Sequence, residues 1–261
     1  FFYAEPFAAT LIAIYIPASG ASLPSLSGLF WIYVLSGGLA QILATWFGVL
    51  LLAERNFAVG ITFQKTEVIQ TAIVGFVILG DRISATGLFA IFIGLTGVLV
   101  LSDSSSSEGN WVRRLGNKAA VLGLASGAFF AVSAVGYRGA TMQVASDDTF
   151  LRAMLTVAAV TASQSNGISA YLAWREPGEL RRGWAARAKA VWIGITSLVG
   201  SVGWFTAFAM QNAAYVFAVG QIEVIFSIVA SVAFFKEKVT RREVLGMVLL
   251  TASIILLVVL G

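Results

Sequence analysis

Cysteine and histidine are both missing from this 261-residue chain. Without cysteine there is no disulfide framework, no thiol nucleophile and no thiolate metal site. Without histidine the commonest general base and the commonest metal ligand are gone as well. Charge is scarce: 11% of the residues are Asp, Glu, Lys or Arg, against about a quarter in soluble proteins. Proline is limited to four residues, and the later apolar runs are nearly devoid of it, which excludes sharp proline hinges there. No cluster has metal-ligand spacing and no glycine-rich loop suits a nucleotide, so no cofactor is expected.

What is present is apolar. The apolar share is 58% and the mean hydropathy is +0.88. Too little polar surface exists to coat a soluble particle of this size, and the chain is expected to be an all-α integral membrane protein. A formal charge of +4 and a pI near 9.6 could suggest nucleic acid. In a membrane protein basic residues instead set topology and touch lipid, so lipid is the expected partner and nucleic acid is not. The chain opens at Phe1, inside an apolar run and with no signal-peptide pattern; the natural N-terminus is expected to lie upstream.

A membrane-spanning helix needs about 20 apolar residues. Nine such spans are expected: Phe1–Ala18, Gly28–Ala53, Phe57–Leu79, Ser84–Ser102, Lys118–Thr141, Thr149–Trp174, Ala188–Asn212, Ala213–Phe235 and Glu243–Leu260. The longest polar joints are 103–117, with its serine run, and 175–187.

Two glutamates stand inside two of these spans. Glu67 lies in Gly60–Leu79 and Glu223 in Ala213–Phe235. The residues after each also match. Glu67-Val68 leads to Asp81-Arg82-Ile83-Ser84, and Glu223-Val224 leads, at the same offset, to Glu237-Lys238-Val239-Thr240. Phe57-Ala58-Val59-Gly60 recurs as Phe217-Ala218-Val219-Gly220, and Trp46-Phe47 as Trp204-Phe205, at slightly different offsets that mark small insertions. The chain therefore reads as two copies of one unit: residues 1–102 as the first, 103–117 as the loop between them and 118–261 as the second. The second holds five spans. Under the glutamate offset Lys118 maps to a point before Phe1, so the first copy lacks its first helix and ten helices are expected in all. With five helices per copy the second enters the membrane from the opposite side. Two inverted five-helix repeats result, a layout typical of transporters.

Basic residues choose the cytoplasmic side. One set of alternate joints carries Arg55; Arg113, Arg114 and Lys118; Arg175, Arg181, Arg182, Arg187 and Lys189; and Lys236, Lys238, Arg241 and Arg242. The other set has only Arg82, Arg138 and Arg152. The rich set is expected in the cytoplasm, with Gly261 outside. Single cysteines at Arg182 and Arg241 should react with a membrane-impermeant thiol reagent from one side and a cysteine at Ser22 from the other. Labelling of all three from the same side would reject this orientation.

The paired joints Asp81-Arg82-Ile83-Ser84 and Glu237-Lys238-Val239-Thr240, each entering a last helix rich in small and aliphatic residues, resemble the repeated signature of the drug/metabolite transporter superfamily, EamA type. The resemblance covers the chain apart from the missing helix. It implies a ten-helix carrier with inverted repeats in which four helices of each half line a central cavity. It also implies a substrate among amino acids, amines, nucleotide-sugars and other metabolites; a bacterial inner membrane is the expected location.

An acid deep in an apolar span is costly and usually lines a functional path. Glu67 and Glu223 are thus the leading substrate or proton site, the alternative being structural carboxyls. Lys65 sits two residues before Glu67, about 200° around a helix, which makes a bond between them awkward. It could pair with Glu223 or receive a substrate carboxylate. Its repeat mate is Gln221, so the two halves differ in charge. Gln64, Glu67, Gln70 and Thr71 form one polar stripe, which in lipid must turn inward. Trp46 and Trp204 are candidates for an aromatic wall against a cationic or aromatic substrate. Gln41, Gln211 and Asn212 are weaker polar candidates, Tyr15, Trp31, Tyr33 and Tyr215 weaker aromatic ones. Arg138, Arg152, Asp147 and Asp148 read either as a gate of ion pairs or as a solvated loop. Together these features describe a secondary transporter that exports or exchanges a small polar metabolite by alternating access, driven by a gradient, with the proton one candidate, or by the substrate itself. The alternatives are a non-transporting membrane subunit on the same fold and, less compatible with the missing His and Cys, a membrane enzyme.

Overall fold

The computed structural model describes residues 5–54, 57–102, 118–235 and 240–260. The joint 103–117, the segment 236–239 with its Glu237-Lys238-Val239, and Arg55 lie outside the described residues. The elements are α1 (Glu5–Ser19), α2 (Gly28–Leu52), α3 (Phe57–Gln64), α4 (Glu67–Leu79), α5 (Ala85–Ser102), α6 (Lys118–Met142), α7 (Thr149–Arg175), α8 (Pro177–Ala185), α9 (Arg187–Met210), α10 (Ala213–Gly220), α11 (Ile222–Phe235) and α12 (Arg241–Leu260). No strand occurs among the described residues; Leu26 and Val144 form one isolated bridge. Gly28–Leu52, Lys118–Met142 and Ala190–Met210 are each long and apolar enough to cross a bilayer. Two expected spans differ from the reading. Phe57–Leu79 is broken into α3 and α4, and Ala213–Phe235 into α10 and α11. The expected joint after Trp174 also contains a short helix, α8, started by Pro177 at its first turn, where a missing N–H costs nothing.

The chain forms two compact units. One comprises Phe1–Ile42 with Gly136–Gln211, the other Leu43–Val135 with Asn212–Gly261. Each draws on both sides of the joint 103–117.

In the first unit α7 packs on α1 and α9. Asp148 caps α7, its carboxylate accepting from the N–H groups of Phe150 and Leu151 at 2.9 and 3.2 Å. Tyr15 of α1 donates its hydroxyl to the other carboxylate oxygen at 2.7 Å, and its ring meets Phe150 edge-on at 5.0 Å. The Tyr15 hydroxyl, then the Leu151 N–H, hold the Asp148 carboxyl below the usual range, partly offset by burial. Asp148→Ala is expected to remove about 1 kcal/mol of stability through loss of the cap, read as a lower melting temperature in detergent. Because this carboxyl's folded value is depressed, its contribution is full above the unfolded value. It disappears as pH falls through the folded one, so the gap between wild type and variant should close in acid. The basic residues nearby also serve helix ends. Arg138 donates to the Phe208 and Gln211 carbonyls at 3.1 and 2.7 Å, at the end of α9. Arg152 donates to the Thr141 carbonyl at 2.9 Å, at the end of α6. Asp148, Arg138 and Arg152 thus each bond a helix end.

The interior of this unit holds a polar cluster. Gln164 donates to the Gly38 carbonyl at 3.0 Å and to Gln41 Oε1 at 2.8 Å, and Tyr137 donates to Gln41 Oε1 at 2.8 Å. The Tyr137 ring stacks on Phe205 at 4.5 Å. In α9 a side chain added at Gly200 or Gly203 would meet nothing within 4 Å among the described residues.

The second unit is built on close backbone contacts. α5 pairs with α12 along small residues. A Cβ on Gly97 would lie 2.9 Å from the Gly246 carbonyl oxygen, and Ser253 donates to the Ala90 carbonyl at 2.6 Å. Such packing replaces the hydrophobic effect where lipid is the solvent. Val68, Ala90, Ile91, Ala214, Tyr215, Ala218 and Leu257 form its buried core. Tyr215 is structural: its hydroxyl accepts from the Ser84 N–H at 3.2 Å and its ring lies directly on Gly87. Gly60 of α3 and Gly123 of α6 bring the two backbones together, with Leu51 and Ala119 beside them.

Candidate functional site

Both broken helices belong to the second unit. At the first break the ladder tightens: the Thr66 N–H bonds the Phe63 carbonyl at 3.1 Å, and the Thr66 hydroxyl bonds the same carbonyl at 2.7 Å. A β-branched residue whose hydroxyl bonds back to the preceding turn loosens a helix. Thr66 has φ −69° and ψ −3°. Gln221 at the second break is nearly the same, with φ −61° and ψ −9°, and its N–H is shared between the Phe217 and Ala218 carbonyls at 3.2 and 3.3 Å.

The breaks explain how the two acids are tolerated. Glu67 is the first residue of α4 and Glu223 the second of α11. Each carboxylate therefore stands at the positive end of a half-helix dipole. Within a continuous span neither would have that compensation.

The breaks also exchange partners. Lys65, at the first, reaches Glu223 of α11, with Nζ 2.5 Å from Oε1. Gln221, at the second, reaches Glu67 of α4, its Nε2 donating to Oε1 at 3.3 Å. Lys65 and Gln221 are repeat mates, as are Glu67 and Glu223, so each break residue bonds the glutamate of the other copy. The Lys65 side chain is 16% exposed and that of Glu223 60%. The ion pair is thus buried on the lysine side and open on the other. Gln221 is 5% exposed.

The rest of the polar stripe divides. Gln70 Nε2 donates to the Thr66 hydroxyl at 2.8 Å, and the buried Thr71 hydroxyl to the Glu67 carbonyl at 2.7 Å. The amide oxygens of Gln70 and Gln221 are buried with no hydrogen-bond partner among the described residues. Gln64 points elsewhere, donating to Ser126 of α6 at 3.1 Å, while Ser126 donates to the Ala44 carbonyl of α2 at 2.9 Å. Gln64 thus links α3 to α6. Trp46 is more than half exposed and packs on Phe47 at 5.6 Å, which stacks on Phe129. Trp204 belongs to the first unit and packs on Phe208 at 5.9 Å.

Three residues at the site had no visible signal in sequence: Thr66, Ser126 and Gly127. A Cβ on Gly127 would lie 2.8 Å from the Gln64 carbonyl oxygen, 3.4 Å from Gln70 Nε2 and 3.5 Å from Glu67 Cβ. The missing side chain is what lets α6 lie against the break. A small residue in a helix rich in them does not disclose its partner.

Helices throughout the described residues, several of them long and apolar, and two acids at paired helix breaks define a polytopic membrane protein with an internal polar site. The profile of the EamA-like transporter family matches residues 117–259, more than half of the chain, and the chain belongs to that family, within the drug/metabolite transporter superfamily. A solved structure, titled only "Crystal structure of protein", is similar over 100% of this chain and 88% of its own length, at 12% identity and a TM-score of 0.65. At that identity the likeness is one of fold. No curated protein matches the chain.

Proposed function

We propose that this membrane transporter is a secondary carrier that exports or exchanges a small polar metabolite, an amino acid, an amine or a related compound, in a bacterial inner membrane. Residues 1–102 and 118–261 act as inverted repeats, and alternating access comes from rocking one against the other. The observation that carries the reading is the exchange of break residues between copies, Lys65 with Glu223 and Gln221 with Glu67. Discontinuous helices with charged groups at their ends are where carriers hold substrate and coupling ions. A carboxylate at such a point can take and release a proton within the membrane, which makes the proton the natural coupling ion.

The test is a screen of radiolabelled metabolites in proteoliposomes, with and without a pH gradient. Saturable uptake of one polar metabolite, accelerated by the gradient, is expected. Flux no greater than in protein-free vesicles for every class tested would favour a non-transporting subunit.

A further inference from the structure

We infer that the apolar groove between α4 and α5 is a phospholipid site. It takes one acyl chain, and Arg82 at its mouth takes the lipid phosphate. The groove lies within the second unit and does not depend on what the protein carries.

The first ground is the shape of the groove. Ile69, Ala72, Ile73 and Phe76 line it from α4, a stripe at i, i+3, i+4 and i+7. Leu88, Ile91 and Phe92 line it from α5, at i, i+3 and i+4. Ile91 is buried, and Ile69 and Ala72 pack on the core, so these three make a floor. Ile73, Phe76 and Phe92 are each more than half exposed and make an open rim. The cavity measures about 550 Å³, within the range of small-molecule sites. On a membrane-spanning segment an open apolar face meets lipid tails. Ile69 to Phe76 is about 10 Å of helix, and the hydrocarbon of one leaflet is about 15 Å deep. A chain that enters at the joint and runs along α4 therefore fits within one leaflet.

The second ground is the charge at the joint. The Gly80 and Asp81 N–H groups bond back to the Phe76 and Gly75 carbonyls at 3.1 and 3.2 Å, and Gly80 carries φ 70°. Asp81 borders the groove, but its carboxylate is folded over another face of α4. A Cβ on Gly75 would meet Asp81 Oδ2 at 3.6 Å and Val135 at 3.7 Å, and Gly75 belongs with Val68 and Thr71 to the buried face. Arg82 is exposed. Its carbonyl accepts from Asn212 at 3.2 Å, which ties the joint down, while its guanidinium has no partner among the described residues.

The third ground is the use made of the other basic residues. Arg82, Arg138 and Arg152 are the three expected on their side of the membrane. Arg138 and Arg152 are bonded to helix-end carbonyls. Arg82 is the one of the three left to an outside partner. A guanidinium at the membrane edge suits a phosphate, which it can hold through two parallel N–H bonds.

The test is native mass spectrometry of the protein in detergent, titrated with dioleoyl phosphatidylglycerol. Wild type is expected to bind a first lipid about tenfold more tightly than a second. Arg82→Gln should weaken the first event about tenfold, and Arg82→Lys should lie between the two. Ile73→Trp, which fills the groove from an exposed position, should weaken it as much with Arg82 intact. Phe92→Ala, which lowers the opposite rim, takes its place if Ile73→Trp elutes as aggregate. Arg181→Gln in α8 removes an exposed charge elsewhere and should change nothing. A wild type that binds no lipid more tightly than the rest would overturn the proposal. So would equal weakening by Arg181→Gln, or a first lipid unaffected by Arg82→Gln or by the groove variant. A wild-type dimer that Ile73→Trp converts to monomer with its bound lipid unchanged would make the groove an interface between copies, and would overturn the lipid site as well.

Discussion

Glu67→Gln and Glu223→Gln should each abolish the pH dependence of transport while leaving the protein folded. Gradient-driven uptake in proteoliposomes is expected to drop at least about tenfold, in line with the loss of one contact to a charged group, about 1.5–3 kcal/mol. The two variants should differ in stability. Glu67→Gln replaces a carboxylate that accepts a single long bond from Gln221, and the melting temperature should change little. Glu223→Gln leaves the mostly buried Lys65 ammonium without its carboxylate, and an uncompensated cation is destabilising. The double variant Lys65→Met/Glu223→Gln should recover the melting temperature without recovering pH dependence. Unchanged uptake in both single variants across a pH gradient would make these acids structural.

Gly123→Val should have the largest effect on stability. Its Cβ would fall against the backbone of Gly60, 2.7 Å from the carbonyl carbon and 3.0 Å from Cα, and backbone cannot move aside as a side-chain tip can. About 3 kcal/mol, the upper end of overpacking costs, is expected, with a matching loss of monodisperse protein on size-exclusion chromatography. Gly48→Ala is the control. Its nearest neighbour would be the Ser126 hydroxyl oxygen at 3.5 Å, an ordinary contact. Equal behaviour of the two variants would contradict the close approach of α3 and α6.

The membrane class and the helical character were legible because each rests on composition and on the length of the apolar runs. Glu67 and Glu223 announce themselves by their cost, and their repetition removes chance. The reach of Lys65 to Glu223 was foreseeable as one option because its own helix offered no partner on the same face. The helix breaks were not foreseeable. No proline or glycine pair marks either break; the first rests on Thr66 bonding back to its own preceding turn, which a threonine in a helix need not do, and Gln221 at the second finds Glu67 only in the folded chain. The roles of Ser126 and Gly127 were hidden for a related reason: they depend on what lies opposite.

The crossed bridges tie the history of the two halves together. Two identical copies, related by two-fold symmetry, would carry identical bridges: two lysine–glutamate pairs, or two glutamine–glutamate pairs. One of each requires positions that can change separately, as position 65 and position 221 of a single chain can. Each later change at one break is then judged by the glutamate of the other copy. A chain made symmetric by Lys65→Gln or Gln221→Lys would carry like bridges at both breaks and lose the difference in charge between them.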